Sequence, residues 1–149
     1  MISATPITGG CQCGAIRYRA QSLGRASICH CRMCQKAFGS FFGPLVTTEG
    51  LVWTRGPPAR FDSSNRNWRR FCADCGTPLT YEGEGLLEVS IGSLDNPDLA
   101  MPEVQVNALA TRRAFAMLAD LPVRTGEAAA GDEAWNAGVV SNQHPDHDT

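Results

Sequence analysis

Seven cysteines stand in three tight groups, and no other feature of the chain so narrows what it can fold into. Cys11 and Cys13 form a C-x-C pair, Cys29, Cys31 and Cys34 a C-x-C-x-x-C run, and Cys72 and Cys75 a C-x-x-C pair. Thiolates this close in sequence converge on one point, and a cage of soft sulfur ligands most often holds zinc. A closed zinc site takes four ligands. Seven cysteines therefore leave three, and three protein ligands with an open fourth position is the usual arrangement of catalytic zinc.

The spacing also constrains the backbone. Residues i and i+2 of an extended strand lie about 6.6 Å apart on one face. Sulfurs around a tetrahedral zinc are only about 3.8 Å apart, so the C-x-C pairs belong where a strand curls. Cys13-Gly14 and Cys75-Gly76 fit such curls, because glycine allows positive φ and lets backbone N–H groups turn toward sulfur. Pairing Cys11 and Cys13 with Cys72 and Cys75 staples segments far apart in the chain, as a structural site usefully does. Cys29, Cys31 and Cys34 then form the second site, although spacing alone leaves other partitions open. Zinc with three thiolates carries a net charge of about −1, a poor Lewis acid but a good holder of a further thiolate. Chemistry on a small thiol is expected there, ahead of ester or amide hydrolysis.

Competing readings of the same residues exist. His30 can close the middle site as an inert structural one, although between two ligands it points away in an extended segment. A non-catalytic zinc module that binds a partner protein is the main alternative to an enzyme. A redox role for Cys72 and Cys75 has less support, since no thioredoxin-like βαβ pattern surrounds them.

The rest of the chain fits one small domain. At 149 residues with 43% hydrophobic residues, it can build an ordinary core. A formal net charge of −2 and no basic stripe with interleaved aromatics argue against a nucleic-acid partner. No apolar run approaches the roughly 20 residues that span a bilayer. The opening MISATPITGG lacks the n- and h-regions of a signal peptide, so a reducing, cytoplasmic setting is expected.

Alternating residues 15–20 predict a strand, as do 26–29, 41–47, 51–54, 69–72, 79–82 and 86–91. Gly and Pro punctuation separates them at the short intervals of an all-β domain. Residues 104–109 are expected as a last core strand, and residues 33–38 as one helical turn closed by Gly39. Past Pro122 the composition turns to Ala, Gly and acidic residues. The domain is therefore expected over 1–122 and a mobile tail over 123–149, with a short helix at 132–137 anchored by Trp135 as the competing reading. Arg66, Arg69 and Arg70 can face an anion or be solvated strand residues. Gln35, Lys36, Gly39 and Ser40 follow the middle cluster and can line its pocket. Of these, Lys36, Ser40 and Arg70 are the candidates for touching substrate; His144 and His147 are given no role.

The segments GGCQCGAIRY, CHCRMCQKAFGS, RRFCADCGTPLTYE and IGSLDNP resemble the glutathione-dependent formaldehyde-activating family, also called the centromere-protein-V family, over roughly residues 9–122. The resemblance implies a mainly β, single-domain fold of the Mss4-like β-tent kind with two zinc ions. By position Cys11, Cys13, Cys72 and Cys75 match the family's structural ligands, and Cys29, Cys31 and Cys34 its catalytic ones. The implied activity is that of a carbon–sulfur lyase, similar to formation of S-(hydroxymethyl)glutathione from formaldehyde and the small-molecule partner glutathione. The chain departs from the pattern after Gly92-Ser93-Leu94-Asp95. Members commonly carry Pro-x-x-His and then a tryptophan; here Pro102-Glu103-Val104-Gln105 and Phe115 stand in those places.

Overall fold

The computed structural model describes residues 6–149; the first half of the N-terminal segment read above lies outside the described residues. The described residues form ten strands and two helices joined by 3₁₀ turns: β1 (Ile7–Gly10), β2 (Arg17–Ala20), β3 (Ser22–Cys29), α1 (Arg32–Phe38), β4 (Gly43–Glu49), β5 (Val52–Arg55), β6 (Ala59–Asp62), β7 (Asn67–Phe71), β8 (Pro78–Gly83), β9 (Leu86–Ser90), β10 (Val104–Val106) and α2 (Gly126–Ala137). They make two sheets, one ordered β1-β2-β5 and the other β10-β3-β4-β9-β8-β7-β6. Only Gln21 separates β2 from β3, so the chain passes directly from the small sheet into the large one. Among the described residues every strand pairing is antiparallel except β10 on β3. The mainly β, single-domain fold is the expected one.

Alternation explains the core. Tyr18 of β2, Ala26 of β3, Val46 of β4, Leu79 of β8 and Val89 of β9 point inward and are buried together with Ile16, Ile91 and Leu94. Cys11 and Cys72 belong to the same cluster, so the thiolate staple is continuous with the hydrophobic core. Ser93 donates to the Ser90 carbonyl at 2.8 Å, which leaves the fully buried Tyr18 hydroxyl to donate to Ser93 Oγ at 2.8 Å. Burial pushes the Tyr18 phenol well up, only partly countered by Ser93. The Trp53 ring packs edge-on against Tyr18 at 5.9 Å.

Three features differ from the sequence expectation. Strands β1 and β6 are additional; β1 ends in Gly9-Gly10 and β6 follows Pro57-Pro58, so both read as turn punctuation in the sequence. The strand expected over 104–109 ends at Val106, lies at the sheet edge, and leaves Val104 and Gln105 exposed. It closes the edge of β3 and adds little to the core. After residue 122 the chain forms the twelve-residue α2, with Trp135 77% exposed. Trp135 therefore anchors nothing among the described residues.

Candidate metal centres

Two similar turns build the first cluster. In one, the Cys11 amide donates to the Ile16 carbonyl and the Gly14 amide to the Cys11 carbonyl. In the other, the Cys72 amide donates to the Thr77 carbonyl and the Gly76 amide to the Cys72 carbonyl. Both turns need the left-handed region: Gly14 has φ 80° and Gly76 φ 78°, where a side chain is strained. The Gln12 amide donates to Thr77 Oγ1 at 2.9 Å and ties the turns together. All four sulfurs lie within 4.8 Å of one another. Cys11 and Cys13 are 3.6 Å apart and Cys13 and Cys72 3.8 Å, the edge length of a tetrahedral zinc–thiolate cage.

Donors aimed at sulfur complete the cage. The Ile16 amide lies 3.2 Å from Cys11 Sγ, and the Thr77 hydroxyl 3.2 Å from Cys75 Sγ. Burial raises the Cys75 thiol, but hydrogen bonds from Thr77 and Cys13 outweigh it and bring it down to about 6.

The second cluster forms where β3 meets α1. Cys29 ends β3, and Cys31 caps α1, its sulfur accepting from the Cys34 amide at 3.3 Å. Seven residues are too few for a stable free helix. Gly39 at φ 57° closes α1, and Gln35 Nε2 ties it to the carbonyls of His30 (2.6 Å) and Ala110 (3.1 Å). Gly43, the partner of Cys29 in β4, is glycine because a Cβ there would sit 2.9 Å from Cys34 Cβ and from the Phe38 ring. The three sulfurs lie within 4.8 Å of one another, with no further Cys, His, Asp or Glu among the described residues in the group. His30 turns away, fully buried, with Nε2 2.8 Å from Gln105 Oε1 and its ring edge-on to Phe115. Both family departures thus meet on this one histidine.

Two side chains donate to the second cluster. Asn107 Nδ2 is 3.2 Å from Cys29 Sγ, and Arg69 Nη2 is 3.2 Å from Cys34 Sγ. Asn107 is the only described non-glycine residue at positive φ, 56°, a conformation asparagine tolerates better than most. Hydrogen bonding from Cys34, the Cys31 backbone and Asn107 draws the Cys29 thiol down to about 5, against burial. The same bond, with burial, pushes Cys34 up. The cluster thus holds negative charge most readily on Cys29.

The sequence candidates fall in different places. Lys36 lines a cleft of about 550 Å³ between α1 and β6–β7, together with Arg32, Met33, Phe61, Ser63 and Arg69. Ser40 lines a separate cleft with Gln35 and Arg112. Arg70 points to the other face of β7 and pairs with Glu82 at 2.9 Å. Its neighbour Arg69, 8% exposed, is the arginine at the cluster. Strand alternation sorts the two onto opposite faces, but only the packing of β7 against α1 says which face holds the cysteines. Asn107 gave no signal at all, since it lies 78 positions from Cys29.

His144 and His147 also take up defined positions. The His144 amide donates to the Gln12 carbonyl, and the His144 ring would meet a Cβ on Gly14 at 2.5 Å. Arg17 donates to the His147 carbonyl, Arg19 pairs with Asp148, and Arg55 donates to the carbonyls of Gly14 and Thr149. Residues 144–149 therefore lie over the Cys11–Gly14 turn.

Two sheets closed by paired cysteine turns, with a second thiol cluster at a strand end, define a β-tent domain whose cages are suited to zinc. The chain belongs to the glutathione-dependent formaldehyde-activating enzyme family, whose model matches residues 6–109. A crystal structure of a Rhodobacter sphaeroides protein is similar, with a TM-score of 0.53 and 22% identity over 66% of this chain and 99% of that one. Likeness at that identity speaks for the fold. No curated protein matches the chain. Among the described residues no helix is long and apolar enough to cross a membrane.

Proposed function

We propose that the protein is a zinc-dependent enzyme of the carbon–sulfur lyase type acting on the adduct of a small thiol and an aldehyde, similar to S-(hydroxymethyl)glutathione synthase. Cys11, Cys13, Cys72 and Cys75 hold a structural zinc; Cys29, Cys31 and Cys34 hold a catalytic one. The observation that carries this reading is the three-sulfur cluster with no fourth protein ligand among the described residues. Zinc there supplies an electron-rich centre that keeps an incoming thiol deprotonated without strongly polarising a carbonyl.

The chain's own residues do the rest. Arg69 and Asn107 spread the charge of Cys34 and Cys29 through hydrogen bonds, so the cluster tolerates another sulfur beside it. Cys31 is the partly exposed member and marks the side from which a thiol arrives. In the reaction the thiol sulfur bonds to the aldehyde carbon, and the carbonyl π pair takes up the proton the thiol lost. Nothing is oxidised, and the reverse step is the elimination that defines a lyase. Cys72 and Cys75 require a reducing setting, consistent with a cytoplasmic protein.

The test is the rate of hemithioacetal formation above the uncatalysed background, followed by exchange NMR with glutathione and formaldehyde. Zinc-replete protein should accelerate it and Cys34→Ser should not. No excess rate with any small thiol, at two zinc per chain, would leave the non-catalytic binding module as the better reading.

A further inference from the structure

The cleft beside α1 has an unusual composition. Arg32, Lys36 and Arg69 line it, and among the described residues none of the three has a carboxylate within 4 Å. Arg32 donates only to the neutral Gln35 side chain. Arg69 uses Nε on Ser63 and Nη2 on Cys34, stacks on Tyr81 at 4.5 Å, and has no partner for Nη1 among the described residues. The same cleft is lined by two large apolar side chains left half exposed or more, Met33 at 50% and Phe61 at 61%. Two cations without an acidic partner, Arg32 and Lys36, with Arg69 shared with Cys34, stand beside an apolar wall and are complementary to an anion with an apolar body. Arg69 joins the cleft directly to Cys34.

Resting on the proposal that the Cys29–Cys31–Cys34 cluster is the reaction centre, we infer that this cleft binds the carboxylate and apolar body of the thiol partner. The preferred substrate class is then an aryl- or alkyl-bearing mercaptocarboxylate rather than a zwitterionic peptide thiol. Glutathione carries an ammonium group that needs an acid, and no Asp or Glu lines the cleft. Its polar body also has no use for Met33 and Phe61.

A probe without a thiol separates binding from chemistry. 3-Phenylpropionate is titrated into the zinc-loaded full chain while the Met33 methyl signal is followed by NMR, with neutral 3-phenylpropanamide as the control. Saturable binding is expected, with the amide weaker by about threefold to tenfold and similar losses in Lys36→Gln and Phe61→Ser. Both substitutions lie on exposed side chains, so folding is preserved. Equal binding of acid and amide, or unchanged binding in both variants, overturns the inference. Binding of the acid without any thiol-adduct turnover sustains the cleft and removes the proposed function. Normal turnover of glutathione with no binding or inhibition by phenylpropionate does the reverse.

Discussion

Replacing Arg69 by methionine removes the one charged donor at the second cluster while keeping an unbranched apolar chain under Tyr81. At 3.2 Å from Cys34 Sγ, the guanidinium attracts a thiolate by about 5 kcal/mol at an effective dielectric constant of about 20. Desolvation of a side chain only 8% exposed offsets much of that. The remainder is about 1.5–3 kcal/mol, the usual net value of a hydrogen bond to a charged group. At 1.4 kcal/mol per decade this is about a tenfold to hundredfold loss of zinc affinity, the range typical of lost outer-shell partners. Competition between the zinc-loaded protein and a chromogenic chelator should resolve two equivalents, one for each proposed site. One should become labile by that factor while the other holds. Release of both as in the unaltered protein refutes the argument, and equal weakening of both points to general destabilisation.

The two clusters should also separate in stability: Cys72→Ser breaks a buried staple between turns 59 residues apart and should abolish cooperative thermal unfolding, whereas Cys31→Ser should retain it by circular dichroism. Asp95 accepts from Arg17 Nη1 at 2.8 Å and from Thr8 at 2.6 Å; burial alone would raise its carboxyl, but these bonds and the Arg17 charge hold it below the usual range. Its contribution is therefore complete above the unfolded value of about 3.9 and disappears as pH falls through the lower folded value. Asp95→Asn, which leaves the buried Arg17 only the His147 carbonyl and Asp148 at 3.9 Å, should cost about 1.5–3 kcal/mol at pH 7 and flatten the acid limb of urea-unfolding midpoints against pH. Gly14→Ala should destabilise more than Gly76→Ala, because both carry positive φ but only Gly14 faces the His144 ring, with open space beside Gly76. Deleting residues 143–149 should bring the two penalties together at about 1 kcal/mol, as measured by chemical denaturation; a gap that survives deletion argues against docking of the tail on that turn.

The sequence by itself determined the parts whose cause is local. Cysteine spacing and the following glycines dictated the two turns, because sulfur geometry and positive φ act within a few residues. Alternation at 15–20 and Gly and Pro punctuation elsewhere located most of the strands, and Gly39 the end of α1, for the same reason. It also carried the likeness to the family, since C-x-C, C-x-x-C-G and G-S-L-D are contiguous strings. What only the tertiary structure decided is what depends on bringing distant segments together. That includes which arginine meets Cys34, the approach of Asn107 to Cys29, and the pairing of His30 with Gln105. It includes the return of His144 and Asp148 to the first turn, and a cationic cleft walled by helix and strand. None of these leaves a periodic trace, because each is a contact between segments whose separation in the chain says nothing about their distance once the sheets have closed.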